Sequence, residues 1–328
     1  MPTNALQYIP DHYVTMFDSA WQLLLQQFES RLKERIKVVS EKGAAIRFNQ
    51  VAPYSAMSQV TTRAAATPTV SINLPTRWVY PAAFNVASLI DEFDEHFLAM
   101  VSNPSSDVIR SQLAAYNRAA DSTIIANLLG TATVTDTTAS DTTGFTMNNA
   151  TTNVAFDTTN QLVPVDRVPL GGTAATSGLT IDKIRYAKFK LDHAEAPSED
   201  RFLVISAAEV QDLLATTEVT NQLYNSVRAL VDGDVDSFLG FKVIRTELLP
   251  IVTSTKKADG TTATAGSFRQ CIAYQKNAAV FVEGGRKAFM DIRADLSHAL
   301  QIRSTAIMGA GRLLDNGVVQ IVTDTSKQ

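Results

Sequence analysis

Between Asn103 and Gly130, apolar side chains recur at Ile109, Leu113, Tyr116, Ala120, Ile124 and Leu128. Steps of three and four place them on one face of a helix. Asn103 suits the N-cap and Pro104 the first helical position, where no N–H is needed. Asp107 sets negative charge at the positive end of the dipole. Gly130 reads as the left-handed residue that stops the helix. About 26 residues at roughly 1.5 Å each give a rod of about 39 Å. The opposite face, with Ser111, Gln112, Asn117, Arg118, Ser122 and Asn127, is only mildly polar. The pattern predicts a long helix covered by neighbours, other subunits among them.

The rest of the chain is read around that rod. Residues 1–13 form a polar extended arm, and a helix is predicted from Tyr13 to about Val39. Its apolar face is Phe17, Trp21, Leu24, Leu25, Phe28, Leu32 and Ile36. It docks on its own subunit, on a neighbour or on an assembly factor. Residues 40–80 turn to Ala, Thr, Ser, Gln and Val, interrupted by Pro53, Pro68 and Pro75. Alternation at Val70–Leu74 predicts strand with one solvated face. A hairpin this poor in apolar residues needs an outside surface to hold it. Residues 85–102 are read as a short amphipathic helix with Leu89, Ile90, Phe93, Phe97 and Met100 inward.

Residues 131–178 are rich in Thr, Ala, Asn and Asp, with no Lys or Arg between Arg118 and Arg167. They read as an insertion of short strands and loops. From Leu179 an α/β unit follows: a helix from Thr180 to about Ala194, a strand at 202–206, and helices at 207–215 and about 220–230. A strand then carries Val243 and Ile244. A flexible loop precedes the strand at 271–274, and strands close the chain at 279–282, 287–292, 299–308 and 317–322.

Composition narrows the function. The chain has 328 residues, 45% of them hydrophobic, with a formal net charge of -4. That suffices for a large core and argues against a dedicated nucleic-acid binder, though not against a protein that merely encloses nucleic acid. A single cysteine, Cys271, excludes an intrachain disulfide and fits a reducing compartment. No basic-then-apolar leader and no run of roughly 18 apolar residues is visible, so a soluble, cytoplasmically made protein is expected.

The candidate chemistry is thin. Glu92 and His96 lie four apart in the acidic cluster Asp91–His96, a spacing open to a shared metal or to a solvated helix face. Asp232-Gly-Asp-Val-Asp236 has the start of a calcium loop. Ser237 stands where that loop needs Gly and Val243 where it needs Glu, so a turn is preferred. Gly309-Ala-Gly-Arg312 contains GxG without a following helix, and a bulge or close backbone approach is favoured over phosphate binding. His12, His96, His193, His298 and Cys271 fall in no hydrolase, zinc or redox motif. No catalytic set and no cofactor is read from the sequence, and an enzyme is not supported.

Several stretches, each a loose motif, keep a fixed order. Arg77-Trp-Val-Tyr-Pro81 leaves the hairpin, Asp91-Glu92 follows, and Asn117-Arg-Ala-Ala-Asp121 lies on the rod, which ends in Gly130-Thr-Ala. Pro197 and Arg201 precede Val204-Ile-Ser206. Gly233-x-Val235-x-x-Phe238-x-Gly240-Phe241, Lys276-Asn-Ala278 and Gly309-Ala-Gly-Arg312 before Val318-Val319 complete the series. In this order the chain resembles the major capsid proteins of tailed bacteriophages, with the Hong Kong 97-type fold.

The resemblance implies an α+β fold. Residues 1–39 would be an N-terminal arm and helix, 40–80 the extended E-loop, and 81–130 the P-domain with its spine helix, completed by part of 276–305. Residues 131–178 would be a Thr-rich insertion, and 179–275 the A-domain, completed by part of 306–322. It implies a coat protein that self-assembles through hexamers and pentamers into an icosahedral shell around double-stranded DNA. Its residence would be the virion, after assembly in the host cytoplasm, with neither membrane nor sequence-specific DNA contact. Expected partners are a scaffolding protein, a portal and a cement protein. Candidate inter-subunit contacts are Trp21, Phe28, Arg63, Arg77 and Trp78. Some members of the fold are cross-linked through an E-loop lysine; this chain has none between Lys42 and Lys183, so a noncovalent shell is expected. An encapsulin-like compartment sharing the fold, and a soluble two-domain enzyme, stay open as alternatives.

Overall fold

The computed structural model describes residues 26–51, 59, 61, 63, 74–90, 104–135, 151–168, 175–215, 237–264, 266–296 and 298–327. The predicted rod is present as helix α1 (Pro104–Leu129). Tyr116, Ala120, Ile124 and Leu128 of its apolar stripe are buried, whereas Ile109 and Leu113 stay partly exposed at 37% and 40%. Gly130 does not adopt a left-handed conformation. Its lack of a Cβ serves a close approach instead, since a Cβ there would stand 2.7 Å from the Ala126 carbonyl oxygen.

The helix predicted over Tyr13–Val39 is not found in its described part. Residues 26–32 are irregular, Lys33–Arg35 form one 3-10 turn, and strand β1 (Lys37–Val39) follows. Leu32 and Ile36 are buried as their pattern required. Two tertiary partners override the helix: α1 takes backbone N–H groups of this segment, and β1 pairs in parallel with Val280–Val282. Strands β2 (Ile46–Asn49) and β3 (Thr76–Val79) pair antiparallel as the base of the hairpin. Val70–Leu74 lies almost wholly outside the described residues.

The helix predicted over 85–102 is also corrected. Its described part belongs to strand β4 (Ala82–Ile90), and the remainder, with Glu92 and His96, lies outside the described residues. All nine residues of β4 pair antiparallel with Leu300–Met308. That ladder turns Leu89 outward to 50% exposure, against the inward position expected of it. A period of two governs here rather than 3.6.

The Thr-rich region supplies β5 (Ala132–Thr135), β6 (Thr151–Val154) and β7 (Leu162–Val163). The first two extend the hairpin base into a four-stranded sheet, β2-β3-β5-β6. Helix α2 (Ile181–His193) starts at Thr180, whose side chain accepts the Lys183 N–H. After β8 (Arg201–Ile205), helix α3 (Ala207–Ala215) opens on a capping box: the Glu209 carboxylate takes the Ser206 N–H at 2.9 Å. Then come β9 (Ser237–Phe238), β10 (Phe241–Arg245), β11 (Ile251–Val252), β12 (Thr255–Lys256), β13 (Thr262–Ala263) and β14 (Phe268–Gln275). The loop expected to be flexible therefore contains a small hairpin, β12 with β13. The strands expected at 279–282 and 287–292 are one, β15 (Ala279–Arg293), followed by β16 (Ala299–Arg312) and β17 (Val318–Asp324).

A seven-stranded sheet, ordered β7-β17-β14-β8-β10-β9 with β11 on β14, packs with α1, α2 and α3 into the main core. A second sheet, β1-β15-β16-β4, begins in that core and runs out of it as a long hairpin arm. The architecture is α+β, as expected.

Candidate assembly interface

Three features of the described residues stand out, two of them ties within the chain and one an exposed arm. The first is the polar side of α1. Asn117 Nδ2 donates to the Phe28 carbonyl at 2.6 Å, and Arg118 Nη1 donates to Gln26 Oε1 at 2.7 Å. Asp121 is fully buried, yet its carboxylate accepts from Gln27 Nε2, Ser30 Oγ, and the backbone N–H groups of Arg31 and Leu32. The mild outer face that the sequence left for a neighbour therefore carries the chain's own residues 26–32. A buried carboxylate is stable when its oxygens are saturated by donors, and Asp121 meets that condition.

The second is the latch at the end of α1. Arg312, almost fully buried, donates through Nη1 to the carbonyls of Leu128 at 2.8 Å and Gly130 at 3.0 Å. A cation there complements the negative end of the helix dipole. Arg312 Nε pairs with Asp315 Oδ1 at 2.6 Å, and Asp315 Oδ2 pairs with Arg77 Nη2 at 2.5 Å. One carboxylate thus ties the spine helix to the hairpin base. Gly309 and Gly311 let the strands approach: a Cβ on the first would meet the Pro81 backbone at 3.0 Å, and on the second Val79 Cγ2 at 2.5 Å. The expected close backbone approach is present.

The third is the arm. A register shift between Glu283 and Gly285 divides β15 into a buried root and an exposed outer half. At the root, Glu283 binds Tyr116 Oη at 2.6 Å and Lys33 Nζ at 2.7 Å. Burial pushes the Glu283 carboxyl up, but these hydrogen bonds, with the charges of Lys33 and Arg286, hold it below the usual range. Burial and the same carboxylate push the Tyr116 phenol well above its ordinary value. Between the arm and α1 runs an apolar groove of about 290 Å³, lined by Phe84, Ile109, Leu113, Ala288, Ala306 and Met308. Phe289, Met290 and Ile292 are exposed on the outer half of β15.

Of the contact residues expected from sequence, Phe28 and Arg63 keep exposed surface. Arg77 and Trp78 are engaged inside the chain; Trp78 Nε1 donates to Thr135 Oγ1 at 2.8 Å. Trp21 and Asp232–Asp236 lie outside the described residues. Sequence reading named Asp121 and Arg312 within motifs but gave them no role, and it did not single out Glu283 or name a role for Lys183. Only Asp121 carried a signal, as a charged residue adjoining the apolar stripe of α1.

Among the described residues, no three His, Cys, Asp or Glu side chains are grouped so as to hold a metal ion. Cys271 is fully buried, and burial pushes its thiol far above the range in which a thiolate forms. Buried Lys183 is occupied by the carbonyls of Ser177, Gly178 and Val322 at 2.7, 2.9 and 3.0 Å. No described helix is long and apolar enough to cross a membrane.

Known proteins share this fold. The chain is similar in fold to the capsid of Helicobacter pylori bacteriophage KHP30, with a TM-score of 0.68 at 11% identity, covering 99% of each chain. It is similar to the capsid of the cyanophage P-SCSP1u, with a TM-score of 0.65 at 15% identity, covering 95% of this chain and 93% of that one. A chain of Mycobacterium phage Che8 gives 0.59 at 16% identity, over 98% of both. These likenesses show a Hong Kong 97-like fold. No curated protein matches the sequence. The sequence profile described as phage capsid protein matches residues 9–324. With the fold and nearly the whole sequence in accord, the chain belongs to the phage capsid protein family.

Proposed function

We propose that this chain is the repeating subunit of a noncovalent icosahedral shell enclosing double-stranded DNA, resident in the virion and assembled in the host cytoplasm. The observation that carries the reading is the arm. Exposed apolar side chains on a strand that leaves the core are a liability for a lone subunit and an interface in a lattice. Interfaces that are individually modest sum to a durable container when they close on themselves. A net charge of -4 keeps such a wall from gripping the DNA it surrounds.

On this reading residues 1–39 are the arm, 40–80 the E-loop, and 81–130 with part of 276–305 the P-domain. Residues 131–178 are an insertion, and 179–275 with part of 306–322 the A-domain. Trp21, Phe28, Arg63, Arg77 and Trp78 serve contacts between subunits, and a scaffolding protein, a portal and a cement protein complete the particle. The chain is a structural protein rather than an enzyme. Sedimentation and electron microscopy of the full-length protein, expressed with its neighbouring genes, test the reading. Megadalton icosahedral particles are expected; a small oligomer under all assembly conditions would overturn it.

A further inference from the structure

Among the described residues, the outer edge of β15 is covered at its root only, where β1 lies beside it. There Lys37 pairs with Val280, Val38 with Phe281 and Val39 with Val282. From Gly285 to Ile292 every residue of β15 is exposed, and β16 occupies only the other edge of the strand. An open edge of this length, carrying Phe289, Met290 and Ile292, is a template for another strand.

The sequence of that edge is complementary to itself. Pairing with β16 fixes which side chains share a face: Lys287, Phe289 and Asp291 lie on one, Arg286, Ala288, Met290 and Ile292 on the other. Arg286 and Ala288 line the groove, so the second set is the face turned toward α1. If two copies of the strand run antiparallel about Phe289, Lys287 of each stands opposite Asp291 of the other. Phe289 then meets its own counterpart, and Ala288 meets Met290. A slip of two residues in one direction sets Lys287 against Arg293, and in the other leaves both charges facing uncharged residues. A slip of one residue mismatches the faces. Among the described residues neither Lys287 nor Asp291 has an ion-pair partner of its own.

We propose that the free edge of β15 pairs antiparallel with the same edge of a second copy, about a twofold axis at Phe289. The contact is isologous, as a twofold requires. It joins the two arms into one continuous sheet, with both spine helices on the same side. The inference rests on the shell reading above and names one of its subunit contacts.

Full-length protein carrying Phe289→Cys tests it. Each copy then presents one thiol at the axis, while the native Cys271 stays buried. Assembled particles are treated with a mild oxidant, alkylated, denatured and run without reductant. A disulfide-linked dimer is expected as the main band. In that background Lys287→Glu or Asp291→Lys alone should slow cross-linking roughly tenfold, because two like-charged pairs are then opposed. The two together restore opposite charges and should recover the rate. Particles without cross-links, or a double variant no faster than the single ones, would overturn the pairing. Cross-linked dimers without particles would support the pairing and sink the shell reading.

Discussion

The Asp121 carboxylate on the spine helix accepts the backbone N–H of Leu32 at 3.2 Å, across 89 residues of chain. The same group holds the Arg31 N–H at 2.9 Å. Asp121→Ala leaves donors of this segment without an acceptor, and each buried orphan costs about 1–3 kcal/mol. We expect a loss of about 3 kcal/mol in denaturant unfolding and faster tryptic cleavage at Arg31 and Lys33. Asp121→Asn, which keeps the shape and one acceptor, should lose less. Unchanged cleavage in the alanine variant would show that residues 26–32 are held by other contacts.

Arg312 gives a second test, at the other end of the helix. Its guanidinium spans two carbonyls and Asp315, a geometry that one ammonium does not reproduce. Removing one partner of a buried pair typically costs about 3–5 kcal/mol. Arg312→Met should lower stability toward that range, and Arg312→Lys should recover only part of it. Full recovery by lysine would show that charge alone, rather than the fork, caps the helix.

These two residues also mark where sequence reading succeeds and where it stops. The spine helix was legible because its stripe and N-terminal signals agree and its length leaves no alternative. Helix α2 was legible from Thr180 and its period, and the core strands from their β-branched runs. The segment 26–39 was not, because Leu32 and Ile36 keep helical spacing while Asp121, far away in sequence, takes its N–H groups. Asn85–Ile90 misled in the same way: its apolar residues satisfy both periods, and the ladder with β16 chose period two. Arg312 was unreadable, since only the folded chain brings it to the end of α1. The exposed outer half of β15 was not legible, because which edge and face of that strand stay open depends on the sheet order.

Lys183 makes stability depend on pH. Burial pulls its ammonium down to about 7, against the opposing pull of nearby Cys271, Asp324, Asp166 and Asp212. An unfolded lysine keeps its proton to about 10.4. Between those limits the unfolded chain binds more protons than the folded one, so the contribution of this site rises with pH. Below about 7 both states are protonated and the contribution is flat. The stability of the wild type relative to Lys183→Met should therefore climb from about pH 7 to about pH 10, by an amount on the order of a few kcal/mol. Melting both proteins across that range checks the sign; a flat difference would mean that the three carbonyls keep the group charged.

The lack of lysine between Lys42 and Lys183 bears on how the particle holds together. An isopeptide bond needs an amine within reach of a carboxyl or amide carbon on a neighbouring chain. The hairpin segment 43–80 offers no such amine, so no covalent bond of this kind can start from it. On the proposed noncovalent reading, stability comes from buried area and strand pairing. Boiled and reduced particles should run on a denaturing gel as one band near the subunit mass of 35.6 kDa. Chaotrope should release subunits without proteolysis, at a concentration that falls when the arm is altered at Met290 or Ile292. A ladder of multiples surviving boiling and reductant would show a cross-link formed by some other amine, and the noncovalent reading would be lost.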